Sequence, residues 1–272
     1  MTTTVHTPAN RTSGTARAPI DPVRRSAFFG GGFYLITFLS SIPALFLLAP
    51  VLNDERYIVS SGADTQVVWG NVLDLVNALA AIGSAVALFP VVRRHSESLA
   101  LGFVTTRLFE AAVIVIGIVS LLTVVTLRQP GATGAEAESL VRTGQALVAA
   151  RDWTFLLGPN VMASVNALVL GTLMYKSGLV PRLIPAMGLV GAPLLLAVTT
   201  ATIFGLTEHG SLWWVLVAPI FVWELSLGLW MTFKGFRKDA PLMIDTAVSD
   251  HMEDSGGAPR PSIGIATEAG QA

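Results

Sequence analysis

The chain has 272 residues, of which 52% are apolar and 13% are charged, and its mean hydropathy is +0.64. A soluble domain carries about a quarter of its residues as Asp, Glu, Lys and Arg. The composition therefore excludes an ordinary soluble enzyme, a disordered chain and a nucleic-acid-binding protein with a basic patch. We predict an integral membrane protein whose main partner is the lipid bilayer.

Six apolar runs are each long enough to cross a hydrocarbon core of about 30 Å as a helix. The runs are continuous rather than alternating, which favours helices over strands. We predict an all-α bundle of six transmembrane helices, near residues 28–50, 68–92, 100–127, 153–175, 186–207 and 211–233. Residues 1–23 and 239–272 show no sustained periodicity and are predicted to be disordered tails around a transmembrane domain at 24–238.

The distribution of Lys and Arg between the connections predicts the orientation of the spans. The more basic side of a membrane protein faces the cytoplasm. One side of the predicted bundle carries Arg56, Arg128, Arg142 and Arg151. The other side, which includes both tails, carries Arg11, Arg17, Arg24, Arg25, Arg93, Arg94, Lys176, Arg182, Lys234, Arg237 and Lys238. We therefore expect both termini in the cytoplasm and the spans in the cell (inner) membrane.

The connection between the third and fourth spans, residues 128–152, is the one long external segment. Its apolar and small residues recur at helical spacing, opposite Glu138, Arg142 and Gln145. The pattern predicts an external amphipathic helix that lies on the outer membrane surface. A lid that gates an external entrance is the alternative interpretation.

Four ionisable residues lie inside the predicted spans: Asp74, Arg107, Glu110 and Glu224. Such a side chain costs at least about 2.5 to 3.5 kcal/mol on insertion scales, so it marks a function or a buried pair. All four lie near mid-membrane and can share one polar centre. Arg107 and Glu110 are three residues apart, so they can form an ion pair on one helix. Asp74 and Glu224 have no basic partner left in any predicted span. At least one acid is therefore expected to be protonated, hydrated or bound to a cation.

Further polar residues extend this candidate centre. Asn71 and Asp74 head a stripe of small residues on the second span, which is typical of a helix–helix contact. The other supporting residues are Asn77, Asn160 and Asn166, with Arg151 and Asp152 as an interfacial pair where the fourth span begins. The amides either contact a ligand or form hydrogen bonds between helices, and both interpretations stay open. The acids either handle a solute or a proton or form structural ion pairs.

The sequence offers no recognisable catalytic or cofactor-binding motif. The four histidines lie in tails or turns, so haem, di-iron and zinc sites within the membrane lack their ligands. No phosphate-binding loop or dinucleotide fingerprint is present. We therefore expect no catalytic residue, no cofactor and no metal site, although an enzyme that acts on a lipid through one of the acids is a third hypothesis.

Several segments resemble one bacterial family of integral membrane proteins. They are Ala100-Leu-Gly-Phe103 with Arg107 and Glu110, Arg151-Asp-Trp-Thr-Phe-Leu-Leu-Gly-Pro159, Ser177-Gly-Leu-Val-Pro-Arg182 with Gly191-Ala-Pro193, and Trp223-Glu-Leu-Ser-Leu-Gly228 with Lys234-Gly-Phe236. In this order they resemble domain of unknown function 4386 over roughly residues 24–238. The resemblance implies a bacterial six-span membrane protein and assigns no catalytic residue, because the family has no established activity.

Two functional hypotheses follow from these observations. The first is transport of a small solute or a proton through a centre near the four buried charges. The second is a membrane scaffold or regulatory subunit that binds a protein partner through its spans or its outer helix. Convergence of the charges on an open cavity favours transport, whereas a sealed and fully paired core favours the scaffold.

Overall fold

A computed structural model of the chain describes residues 21–62, 64–207 and 211–243. Within these ranges the chain is helical and has no strand. The elements are α1 (Pro22–Asn53), a short 3₁₀ helix (Tyr57–Val59), α2 (Asp64–Val92), α3 (Glu97–Leu127), α4 (Gly134–Phe155), a π-helical segment (Leu156–Met162), α5 (Ala163–Ser177), α6 (Leu183–Ile203) and α7 (Ser211–Phe233). Most of the predicted tails at 1–23 and 239–272 lies outside the described residues.

The predicted six-span helical fold is confirmed. Within the described ranges, six helices are long and apolar enough to cross a membrane, and α4, the π-helical segment and α5 together form one of them, Gly134–Ser177. Most helices extend a few residues beyond the predicted spans. The exception is the end of α6, the fifth span, because Gly205 adopts a positive φ of 68° and the helix ends at Ile203 rather than at residue 207.

The six spans follow one another in chain order around a ring, in which α7 packs against α1. We call the end at which α1 begins and α7 ends the terminal side, and the opposite end the loop side. Most of the largest cluster of buried apolar residues fills the terminal-side half of the ring. A second cluster lies on the loop side and joins α1, the 3₁₀ helix, α2, α3 and α4.

The predicted external helix exists, but it is not a separate helix on the membrane surface. α4 continues through the π-helical segment into α5 and packs along the loop-side half of α3. A Cβ atom at Gly117 of α3 would lie 2.6 Å from Thr154 Oγ1 and 3.5 Å from Arg151 Cγ. α4 contains more polar residues than a typical span. Composition alone therefore does not indicate that α4 and the fourth span form one continuous helix. Its last turns therefore lie inside the bundle.

The two terminal helices are fastened together at the terminal side. Arg24 of α1 donates hydrogen bonds of 2.9 to 3.1 Å to the carbonyl oxygens of Met231, Thr232 and Phe233, at the end of α7. A cation at this position also neutralises the negative end of the helix dipole. About two turns further along α1, Gly31 lies so close to α7 that a Cβ atom there would be 2.6 Å from Thr232 N. The contact between α1 and α7 therefore requires a glycine.

We predict that Gly31→Ala destabilises the protein and that Gly32→Ala does not. The added methyl group at Gly31 meets backbone atoms of α7, and such overpacking costs about 1 to 3 kcal/mol. No atom lies within 4 Å of a Cβ at Gly32, where alanine only improves helix propensity. Denaturant unfolding of both variants in detergent micelles measures the difference. Equal stability of the two variants would show that α1 and α7 do not approach this closely.

Candidate functional site

A cavity of about 390 Å³ occupies the centre of the ring. All four charges predicted within the spans line it: Asp74, Arg107, Glu110 and Glu224. Towards the terminal side the bundle is closed by large side chains that are less than 2% exposed, among them Tyr34, Phe103 and Trp223. Towards the loop side the lining continues to Arg151 and to Trp213 and Trp214 near the start of α7. The cavity is therefore closed at one end.

Arg107 joins two acids at the closed end of the cavity. Its Nη1 lies 3.1 Å from Glu110 Oε2 on the same helix, and its Nη2 lies 3.5 Å from Glu224 Oε1 on α7. The side chains of Arg107 and Glu110 are almost fully buried, whereas that of Glu224 is 17% exposed. The expectation that Glu224 lacks a basic partner is therefore wrong, because Arg107 is shared. Glu224 is the member of this group that is most accessible from the cavity.

Neighbouring polar groups hold this ion pair in place. Asn166 of α5 donates a hydrogen bond of 2.6 Å from Nδ2 to Glu110 Oε2, and the Thr106 hydroxyl contacts Asn166 Oδ1. The Arg107 guanidinium carbon lies 4.8 Å from the centre of the Tyr34 ring, a cation–π contact. Thr106, Asn166, Glu110, Arg107 and Glu224 thus form one connected network across the ring.

Asp74 and Arg151 form a second charged region, nearer the loop side. Both line the cavity, and the positive charge of Arg151 attracts the Asp74 carboxylate. Arg151 is buried, stacks on Phe155 at 4.7 Å and lies 3.7 Å from the exposed carboxylate of Asp152. The expected number of basic residues within the spans is therefore corrected, because Arg151 also lies inside the bundle. Arg151 was left out because the fourth span was predicted to begin at residue 153, whereas the helix that contains it begins at Gly134.

The π-helical segment contributes an unused hydrogen-bond donor to the cavity. Pro159 lies in this segment and has no backbone N–H, which accounts for a local departure from α-helical geometry. Asn160 follows it, is 5% exposed and lines the cavity, and within the described residues its Nδ2 has no hydrogen-bond partner. Single π-helical turns in α-helices occur frequently at functional sites. Asn160 is thus available to a bound molecule.

The two sides of the cavity differ in chemistry. The side formed by α2, α3, α4 and the π-helical segment carries most of its polar groups. The side formed by α1 and α7 is mostly apolar and aromatic, apart from Thr37, Ser41 and Glu224, and is lined by Phe38, Ile42, Leu45, Trp213, Trp214, Val217, Ile220 and Phe221. The cavity is therefore amphipathic.

The structure separates the supporting residues predicted from the sequence. Asn77 lines the cavity with Asn160 and Arg151. Asn71 is buried but does not line it, and its Nδ2 donates to Val67 O of its own helix at 2.9 Å. Asn166 acts through Glu110, and the Asp152 side chain is 60% exposed. No group of three or more His, Cys, Asp or Glu residues within the described ranges is placed to hold a metal ion.

The sequence did not single out the aromatic lining, although a signal exists. Trp213, Val217, Ile220 and Glu224 follow each other at steps of three or four residues, so they share one face of α7. Trp213 is only 4% exposed and lines the cavity. Tracing this face from Glu224 would have identified the lining.

We predict that Arg107→Gln destabilises the protein by about 3 to 5 kcal/mol, because it leaves two acids in the bundle without their shared cation. Arg94→Gln, at an exposed position after α2, should change the free energy of unfolding by less than about 0.5 kcal/mol. Denaturant unfolding in micelles compares the two. A similar small effect of both substitutions would mean that Arg107 does not hold the acids.

The absence of cysteine allows a direct test of whether the cavity contains water. We expect Thr154→Cys, in the cavity lining, to react several-fold faster with a water-soluble maleimide than Thr105→Cys, on the exposed surface of α3. Only the thiolate reacts, and a thiol surrounded by lipid does not ionise readily. Labelling rates in proteoliposomes, followed by mass spectrometry, provide the measurement. Faster labelling of Thr105→Cys would contradict a hydrated cavity.

Comparison with known proteins identifies the family. The family described as "Domain of unknown function (DUF4386)" matches residues 29–235, which include every residue that lines the cavity. No curated protein and no solved structure matches the chain. The resemblance predicted from the sequence motifs is thus confirmed over three quarters of the chain. This multi-pass integral membrane protein belongs to the DUF4386 family.

Proposed function

We propose that the protein moves a small solute or a proton across the membrane through the central cavity. The observation that supports this proposal best is the convergence of Asp74, Arg107, Glu110 and Glu224 on one cavity. Ionisable groups within a membrane mark solute and proton pathways when they face a water-filled space. The four residues come from three different helices, so only the folded bundle brings them together.

The shape of the cavity agrees with a binding site that is reached from one side of the membrane at a time. Tyr34, Phe103 and Trp223 close the terminal side, and the lining extends about 15 Å along α7 from Glu224 to Trp213. A permanently open channel would need a path past this packing. A transporter needs a site that is closed on one side in each of its states.

The charge distribution indicates which side the cavity faces. The terminal side carries Arg93, Arg94, Lys176, Arg182 and Lys234, and by the positive-inside rule it lies in the cytoplasm. Both termini are then cytoplasmic and the protein lies in the inner membrane. In this state the site would take up its solute from the outer side.

The scaffold hypothesis is less well supported. A scaffold gains nothing from a polar cavity within its spans, and a sealed and fully paired core would serve it better. Instead, Glu224 is partly exposed and the Nδ2 of Asn160 has no partner within the described residues. These groups favour a site that receives a molecule or a proton.

Transport is tested by charge movement in proteoliposomes on a solid-supported membrane. We expect pH jumps, or jumps in a panel of amines, amino acids, sugars and organic anions, to evoke transient currents in the wild type. Glu224→Gln should abolish these currents, because it removes the charge most accessible from the cavity. Glu97→Gln makes the same chemical change at an exposed position on α3 and should retain them. Absence of every current, or currents unchanged in Glu224→Gln, would contradict transport through this cavity.

A further inference from the structure

The chemistry of the cavity defines the class of molecule that fits it. We infer that the cavity binds an amphipathic organic cation, a molecule with an apolar or aromatic body and a single positive charge. This inference rests on the proposed function, because it names the solute that the same site would receive. It is carried by the charge balance of the lining, by its aromatic side and by its volume.

The charges that line the cavity leave an excess of negative charge. Three acids, Asp74, Glu110 and Glu224, face two arginines, Arg107 and Arg151. The negative charge of Glu110 is the best compensated, since its Oε2 accepts hydrogen bonds from both Arg107 and Asn166. The other two acids are less well compensated: Arg107 Nη2 lies 3.5 Å from Glu224 Oε1, and Arg151, which lines the cavity with Asp74, pairs with Asp152. A cationic ligand would complete the balance at Glu224 and Asp74.

The apolar side of the cavity suits the body of such a ligand. The Phe38 and Phe221 rings meet edge to face at 4.9 Å, and the Trp213 and Trp214 rings do the same at 4.9 Å. Aromatic faces attract organic cations as well as apolar groups. A small inorganic cation would leave most of this apolar side without contact, and a sugar would leave much of its hydrogen-bonding capacity unsatisfied against it. The aromatic side thus selects for an amphipathic ligand.

The volume sets the size of the ligand. About 390 Å³ lies within the range of about 300 to 1,000 Å³ that is usual for small-molecule sites. Ile42 and Leu45 of α1 and Trp214 of α7 line the cavity and are about half-exposed, so this part of the lining reaches the outer surface of the bundle. A ligand dissolved in the membrane meets the cavity at this surface. The site therefore suits a compact lipophilic cation better than a strongly hydrated one.

Binding of tetraphenylphosphonium tests the inference, and tetraphenylborate, of the same shape and opposite charge, is the matched control. Equilibrium dialysis of the full-length protein in detergent, corrected for micelles alone, measures both. We expect saturable binding of the cation and at least tenfold weaker binding of the anion. Equal or tighter binding of tetraphenylborate would overturn the inference.

Variants locate the binding site. We expect Glu224→Gln and Asp74→Asn each to weaken binding of the cation several-fold, and Trp214→Ala to weaken it as well. Glu97→Gln and Trp153→Ala make the same changes outside the cavity lining and should bind like the wild type. Unchanged binding in properly folded Glu224→Gln and Asp74→Asn would overturn the assignment. If the wild type does not bind the cation yet still gives pH-jump currents, the inference fails and the proposed function stands.

Discussion

The sharing of Arg107 between Glu110 and Glu224 is the interaction on which the centre of the molecule depends. Arg107 lies on α3 and Glu224 on α7, which are on opposite sides of the ring of spans. The ion pair therefore crosses the ring and joins helices that do not follow one another. In a medium of low polarity an unpaired charge is expensive, so each partner fixes the position of the other two. The network with Asn166 and Tyr34 leaves little freedom for this arrangement.

The rest of the site follows from where this ion pair lies. Towards the terminal side, Phe103 and Trp223 pack tightly and close the ring. Towards the loop side the cavity lining continues to Arg151 and Trp213, and the π-helical segment between α4 and α5 places Asn160 in this lining. The close contact at Gly31 joins α1 and α7 near their terminal ends. The result is a cavity with a charged end and an aromatic side.

The sequence predicts some of these features well and others not at all. The six spans were predictable because the energetic requirement of a helix in lipid depends on local composition. The positions of Asp74, Arg107, Glu110 and Glu224 along their helices follow from the sequence, but a position along a helix does not reveal which way a side chain faces. The partnership of Arg107 with Glu224 depends on the order of the helices around the ring. Only the tertiary structure provides that order.

The prediction of a separate external helix and the omission of Arg151 from the spans were both wrong for the same reason. Composition placed the start of the fourth span at residue 153, because the residues before it are polar. In the structure the helix begins at Gly134, so Arg151 is inside the bundle beside α3 rather than at the interface. A polar segment can lie within a membrane protein when other helices cover it. Among the described residues, the number of buried basic residues within the spans therefore rises from one, Arg107, to two, Arg107 and Arg151.

A double-mutant cycle on Arg107 and Glu224 tests the central claim most directly. The free energies of unfolding of the wild type, Arg107→Gln, Glu224→Gln and the double variant give the coupling energy between the two side chains. We expect a coupling of about 0.5 to 3 kcal/mol, with the double variant losing less stability than the two single variants combined. Strictly additive losses would show that Arg107 and Glu224 do not interact, and would contradict a charged centre built across the ring.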